Sequence, residues 1–160
     1  MTALINQEHV LNPLFALLEE TFEKQHGIFL DRDTSLFQTL DGISAEQASI
    51  PVGGKCASLA AQVAHITFYL ELLERIIVLN DTTPADWGEV WRSVEKVTPE
   101  QWQALRDSLR QAYARITQVF RNNPNWNEDA ISGALAVIVH SAYHLGEIRQ
   151  ALCSLRLGNP

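Results

Sequence analysis

Apolar residues recur along this chain at the three- and four-residue spacing of amphipathic helices, and no stretch has the alternating pattern of a half-buried strand. Four such stretches predict four long helices. The first is expected to begin at Pro13, after Asn12 as N-cap, and to continue to Leu40, where Asp41-Gly42 ends it. Its predicted inner stripe consists of Leu14, Leu18, Phe22, Gln25, Phe29, Leu36 and Leu40.

Local start and stop signals delimit the second and third predicted helices. Ser58 is a suitable N-cap for the second helix, which continues to about Leu79. The third helix begins at a capping box, residues 98–101, with a proline in its first position, and Asn122-Asn123-Pro124 ends it. Its inner stripe is predicted to be Trp102, Leu105, Leu109, Ala112, Ile116 and Val119.

The fourth predicted helix follows Asn127 as cap and ends at Leu157, before Gly158. Ser44 and Gln47 predict one short turn in the connection that precedes the second helix. The connection between the second and third helices is longer. The sequence therefore predicts an all-α protein, a four-helix bundle forming a single domain over residues 1–160.

Composition narrows the function classes. The formal net charge is −7, and the basic residues are scattered, which disfavours a partner that is nucleic acid. No segment has the length and apolarity of a membrane span, and the amino terminus lacks the pattern of an export signal. Cys56 and Cys153 form no CxxC motif, so we expect reduced cysteines in a cytoplasmic protein.

Three histidines are candidate metal ligands. His140 and His144 are four residues apart in the most uniformly helical stretch, so both side chains lie on one helix face, and His65 lies in another apolar stretch. A histidine on an apolar face is more often a core residue with a satisfied hydrogen bond, and this reading stays open. Two imidazoles turned into a core need partners, however, and one metal ion satisfies both.

Ser58 lies seven residues before His65, and the segment His140-Ser141-Ala142-Tyr143-His144-Leu145-Gly146-Glu147-Ile148 places a glycine two residues after the second histidine of the pair. In these features the chain resembles the DinB-like (DinB/YfiT) superfamily of metal-binding four-helix bundles. Residues 42–47 and the Gly53-Gly54 pair are similar too. The resemblance implies that His65, His140 and His144 bind one divalent metal ion, commonly in a homodimer. It also implies the chemistry of metal-dependent hydrolases or of transferases that use a low-molecular-weight thiol.

Two classes of function follow from these observations. In the first, the site is an enzyme centre for a small-molecule substrate, with Zn, Ni or Fe(II) held by three nitrogens. Glu147 is then the candidate catalytic carboxylate, although the family often has glutamine there and Glu147 can instead pair with Arg149. In the second, a non-catalytic bundle uses the metal or the buried histidines for structure or interaction. Trp87 and Trp91 are expected to cover one end of the bundle or, if exposed, to contact a partner.

Overall fold

The computed structural model describes residues 5–52 and 56–157, without the side chains of residues 156 and 157. The described residues form seven helices, which are α1 (Glu8–Phe22), α2 (Leu36–Asp41), α3 (Ala45–Ala48), α4 (Leu59–Leu79), α5 (Trp87–Ser93), α6 (Pro99–Arg121) and α7 (Glu128–Leu157). Within these ranges there is no strand, only one isolated backbone bridge between Pro51 and Ser58. The predicted all-α class is therefore confirmed.

The four long helices, α1, α4, α6 and α7, surround a common core. Helix α4 packs against α6 and α7, and α1 packs against α7. The largest fully buried side chains come from these helices and from α2, and they are Leu18, Phe22, Leu36, Leu40, Leu59, Ile66, Leu70, Leu109, Ile116, Phe120, Leu145 and Ile148. The contact between α4 and α7 brings the two histidine-bearing helices side by side.

The prediction of one helix from Pro13 to Leu40 is wrong. Helix α1 begins five residues earlier, at Glu8, and ends at Phe22, while α2 is a separate helix. Pro13 lies inside α1 at an exposed position. Proline has no backbone N–H, so the carbonyl four residues earlier lacks its helical donor and can bond to water instead. Asn12 is therefore not the N-cap.

A buried carboxylate explains why the chain leaves the helix after α1. Glu20 is fully buried and accepts hydrogen bonds from the backbone N–H groups of residues 27–30, at 3.1 to 3.4 Å. Gly27 has φ +77°, a conformation that glycine adopts without steric cost. Phe29, a member of the predicted inner stripe, is consequently 45% exposed.

The starts of α3, α4, α6 and α7 agree with the sequence signals. The Ser58 hydroxyl accepts from the backbone N–H of Ala61, and the Asn127 side chain accepts from that of Ala130. Capping boxes begin α3 at Ser44 and α6 at Thr98. The predicted roles of the Gly53-Gly54 pair and of Gly158 lie outside the described residues.

The inner face of α6 is largely as predicted, with Trp102, Leu109, Ala112 and Ile116 buried. The predicted Leu105 and Val119 are half-buried, while Tyr113 and Phe120, which the sequence stripe omitted, are buried. Tyr113 stacks on Phe22 of α1, with ring centroids 4.5 Å apart. In the part of the chain that the structure describes, no helix is long and apolar enough to cross a membrane.

Candidate metal centre

The three predicted histidines meet between α4 and α7. Helix α4 contributes His65, and α7 contributes His140 and His144, with one ring nitrogen of each within 4.8 Å of the others. The ring centroids of His140 and His144 are 4.6 Å apart, and those of His65 and His144 are 4.9 Å apart. The three imidazoles are therefore close enough to bind one metal ion.

Burial leaves two of these histidines with unsatisfied nitrogens. His65 and His144 are each 5% exposed, and His140 is half-buried. Nδ1 of His65 and Nε2 of His140 are buried and have no hydrogen-bond partner among the described residues. An unpartnered buried polar group costs about 1–3 kcal/mol, and the described residues do not supply the hydrogen bonds that these two nitrogens would need as parts of core histidines. A metal ion fits the donor set and satisfies both nitrogens at once.

The third histidine is oriented by a carboxylate. Nδ1 of His144 lies 2.8 Å from Oε2 of Glu147, one turn further along α7. Because an ionised carboxylate only accepts hydrogen bonds, Nδ1 carries the proton and Nε2 keeps its lone pair. Metal-ligating histidines in proteins are commonly held in this way. Glu147 thus contacts a histidine of the cluster, and its partner is not Arg149.

The imidazoles have the protonation state that metal binding requires. Burial, with the neighbouring His144, lowers the pKa of His65 to about 4. Burial, with His144 and His65 nearby, lowers the pKa of His140 to about 4. Burial also lowers the pKa of His144, although Glu147 opposes the shift. All three rings are therefore neutral at pH 7, the form in which a nitrogen lone pair is free.

Aromatic side chains enclose the cluster. Tyr69 stacks on His140 with ring centroids 3.9 Å apart, and Trp91 stacks on His65 at 4.3 Å. Trp87 lies 6.0 Å from His65 and stays 43% exposed. The tryptophan pair at i,i+4 indicated a covering role, but nothing in its spacing indicated that it covers the histidines.

The other histidines and cysteines lie elsewhere. His26 is exposed, and its Nε2 is 3.1 Å from a Glu19 oxygen. Cys56 and Cys153 are exposed free cysteines outside the cluster. The candidate centre therefore consists of three histidines, with one carboxylate behind them.

Comparison of the chain with protein-family models, with curated proteins and with solved structures finds no match. The resemblance to the DinB/YfiT superfamily consequently stays an expectation from the sequence.

Proposed function

We propose that the protein binds one divalent metal ion through His65, His140 and His144, and that this centre is catalytic. The observation that carries the proposal is a pair of buried nitrogens, on His65 and His140, for which the described part of the chain offers no hydrogen-bond partner, close to a third imidazole that Glu147 orients. Three neutral nitrogens suit Zn, Ni or Fe(II). The resemblance to the DinB/YfiT superfamily, with its four-helix bundle, supports the same ligand set.

The ligand number favours an enzyme over a structural site. Structural zinc sites are closed by four protein ligands, whereas catalytic sites keep three and leave a position open. Among the described residues, the cluster contains three histidines and no fourth histidine, cysteine or carboxylate ligand. When bound, such an ion lowers the pKa of a water or binds a small thiolate.

The reaction class we propose is hydrolysis or transfer of a low-molecular-weight thiol to a small-molecule substrate. The family resemblance supports both versions. Cys56 and Cys153 lie outside the cluster, so the thiol of a transfer reaction comes from a small molecule. Metal analysis of the untagged protein, followed by a screen of thiols against electrophiles, tests the proposal. A non-catalytic protein would carry a metal without exchangeable water and would give no turnover with any pair of thiol and electrophile.

Glu147 is proposed as a positioning residue that acts through His144. We expect Glu147→Gln to retain one metal ion per chain at saturating metal, because the amide oxygen still accepts from Nδ1 of His144. Metal affinity, or the rate of a detected reaction, falls by up to about 10- to 100-fold, because the amide lacks the negative charge with which the carboxylate raises the basicity of His144. Competition with a chelator measures the affinity.

Glu128→Gln is the matched control for that variant, since Glu128 is exposed in the first turn of the same helix. It should leave metal affinity unchanged. Complete loss of metal from Glu147→Gln would instead make Glu147 a ligand and would shift the assignment to a closed, structural site.

We also propose that the protein is a homodimer. Exposed apolar side chains on α7 support this, with Leu135 44%, Val139 66% and Tyr143 62% exposed. A row of such residues on one helix is typical of an interaction surface. We expect sedimentation at micromolar concentration to give a species of about twice 17.9 kDa, and Val139→Glu to give the monomer. A wild-type monomer at that concentration contradicts the proposal.

A further inference from the structure

The three imidazoles of the cluster are restrained in different ways. Nδ1 of His144 is 2.8 Å from a Glu147 oxygen, and this hydrogen bond fixes both the plane and the tautomer of the ring. Nδ1 of His65 and Nε2 of His140 have no hydrogen-bond partner among the described residues. A contact other than a hydrogen bond at these nitrogens must therefore set the planes of the two remaining rings.

An aromatic ring lies against the face of each of these two histidines. Tyr69 stacks on His140 with ring centroids 3.9 Å apart and ring planes 23° apart. Trp91 stacks on His65 with centroids 4.3 Å apart and planes 25° apart. The contacts of the three imidazoles with one another are tilted or edge-on, with angles between 44° and 72°. The two stacks are therefore specific contacts and differ from the general crowding of rings in the cluster.

Stacking restrains an imidazole without occupying its nitrogens. The stacked neighbour covers the face of the ring and blocks rotation about the bond that joins the ring to Cβ. A metal ion binds a ring nitrogen from the edge, in the plane of the ring. The stacks can therefore hold His65 and His140 in place while their unpartnered nitrogens stay free for a metal ion.

The two stacking rings come from different helices. Tyr69 lies one turn after His65 on α4, so this helix supplies one histidine and the ring that restrains another. Trp91 belongs to α5, which packs against α4. Trp87, one turn earlier on α5, meets Phe68 of α4 edge-on with centroids 5.5 Å apart, and this contact anchors α5. Both stacking rings are half-buried, so the fold itself forms the two stacks.

We propose that the metal centre has two aromatic positioning residues, Tyr69 and Trp91. They hold the imidazoles of His140 and His65 in the planes in which one nitrogen of each histidine lies within 4.8 Å of the others. A ring that is already ordered loses little rotational freedom when the ion binds, and the entropy saved appears as metal affinity. This role rests on the proposed function, because it requires a metal ion at the cluster.

Variants of Tyr69 test the first stack. Tyr69→Leu removes the ring and should weaken Zn²⁺ binding about 3- to 10-fold, which corresponds to the cost of ordering one side chain. Tyr69→Phe keeps the ring and loses only the hydroxyl, so it should bind Zn²⁺ with wild-type affinity. Competition with a chromophoric chelator measures both affinities. Equal weakening by the two variants would contradict a stacking role.

The same two changes at Trp91 test the second stack. Trp91→Leu should weaken Zn²⁺ binding by a similar factor, and Trp91→Phe, which still presents a ring face to His65, should restore most of the affinity. Phe15→Leu and Trp126→Leu are the matched controls, because these half-buried rings pack edge-on against each other, 5.9 Å apart. Both should leave the affinity unchanged. Equal losses in the controls would show that removal of any such ring loosens the protein, and would overturn the proposal.

Proton NMR of the metal-free wild type tests the stacks without any substitution. A ring that covers the face of an imidazole shifts the imidazole protons upfield. At about pH 8, where an exposed histidine is neutral, the ring signals of His65 and His140 should lie upfield of those of exposed His9. Trp91→Leu should move mainly the His65 signals, and Tyr69→Leu mainly those of His140. Signals of all three histidines at one position would overturn the proposal.

These readouts separate the positioning role from the proposed function. If the wild type binds no Zn²⁺, the metal centre is wrong, and the positioning role is overturned with it, even where the NMR signals show both stacks. If the wild type binds Zn²⁺ and the two leucine variants bind it with unchanged affinity, the positioning role alone is overturned and the metal centre stands.

Discussion

Replacement of either His140 or His144 by alanine is expected to abolish stoichiometric metal binding. Each variant leaves two imidazoles, which form a weak site. Among the described residues, the cluster has no further ligand that could replace the lost one. Elemental analysis after dialysis should give about one metal ion per wild-type chain and almost none in each variant. Metal should also stabilise the wild type by about 4 kcal/mol at a concentration a thousandfold above Kd, and this gain should vanish in both variants.

His9→Ala is the matched control, because His9 is exposed on α1 and is not part of the cluster. It should keep both the metal and the stabilisation. Thermal melting of the metal-free variants shows whether they fold, so that loss of metal is not confused with loss of structure. Full metal occupancy in folded His140→Ala and His144→Ala would disprove the three-histidine assignment.

Features fixed by neighbouring residues were predictable from the sequence. Three helix caps are Ser58, Thr98 and Asn127, and each bonds to the first turn of its own helix. The role of each cap is therefore predictable from four consecutive residues. The pair His140 and His144 shares a face for the same reason, since the helix period alone places them together. The position of His65 beside them depends on the packing of α4 against α7. The family resemblance implied this position, whereas residue spacing within one helix could not predict it.

Features fixed by long-range contacts were missed. The apolar stripe of the first predicted helix continued at helical spacing through residues 23–35, but buried Glu20 binds the backbone of this segment and keeps it out of the helix. Trp91 was placed on a covering segment, yet its contact with His65 depends on where α5 rests against α4. A carboxylate that accepts from residues up to ten positions away has no signature in local periodicity.

The largest stability effect outside the metal centre is expected at Glu20. Its carboxylate is fully buried and accepts from the backbone of residues 27–30, so Glu20→Ala leaves several donors without their acceptor. Hydrogen bonds to a charged group contribute about 1.5–3 kcal/mol each, and the loop recovers part of the loss by bonding to water. We expect the free energy of unfolding to fall by about 3 kcal/mol in urea denaturation. Glu19→Ala is the control, since Glu19 is partly exposed in pairs with Lys24 and His26 and should cost less than about 1 kcal/mol.

The same carboxylate predicts a dependence on acid. Burial acts to raise the pKa of Glu20, but hydrogen bonds from the backbone of Leu30, Phe29 and Ile28 outweigh it, and the net pKa lies below the ordinary 4.5. Because the folded state holds the proton less tightly than the unfolded state, the contribution of Glu20 is present above pH 4.5 and is lost as pH falls through the lowered pKa. The difference in unfolding free energy between wild type and Glu20→Gln should therefore be constant near neutrality and shrink in acid. A difference that stays constant down to the lowest pH at which the protein folds would show that the charge of Glu20 does not stabilise the loop.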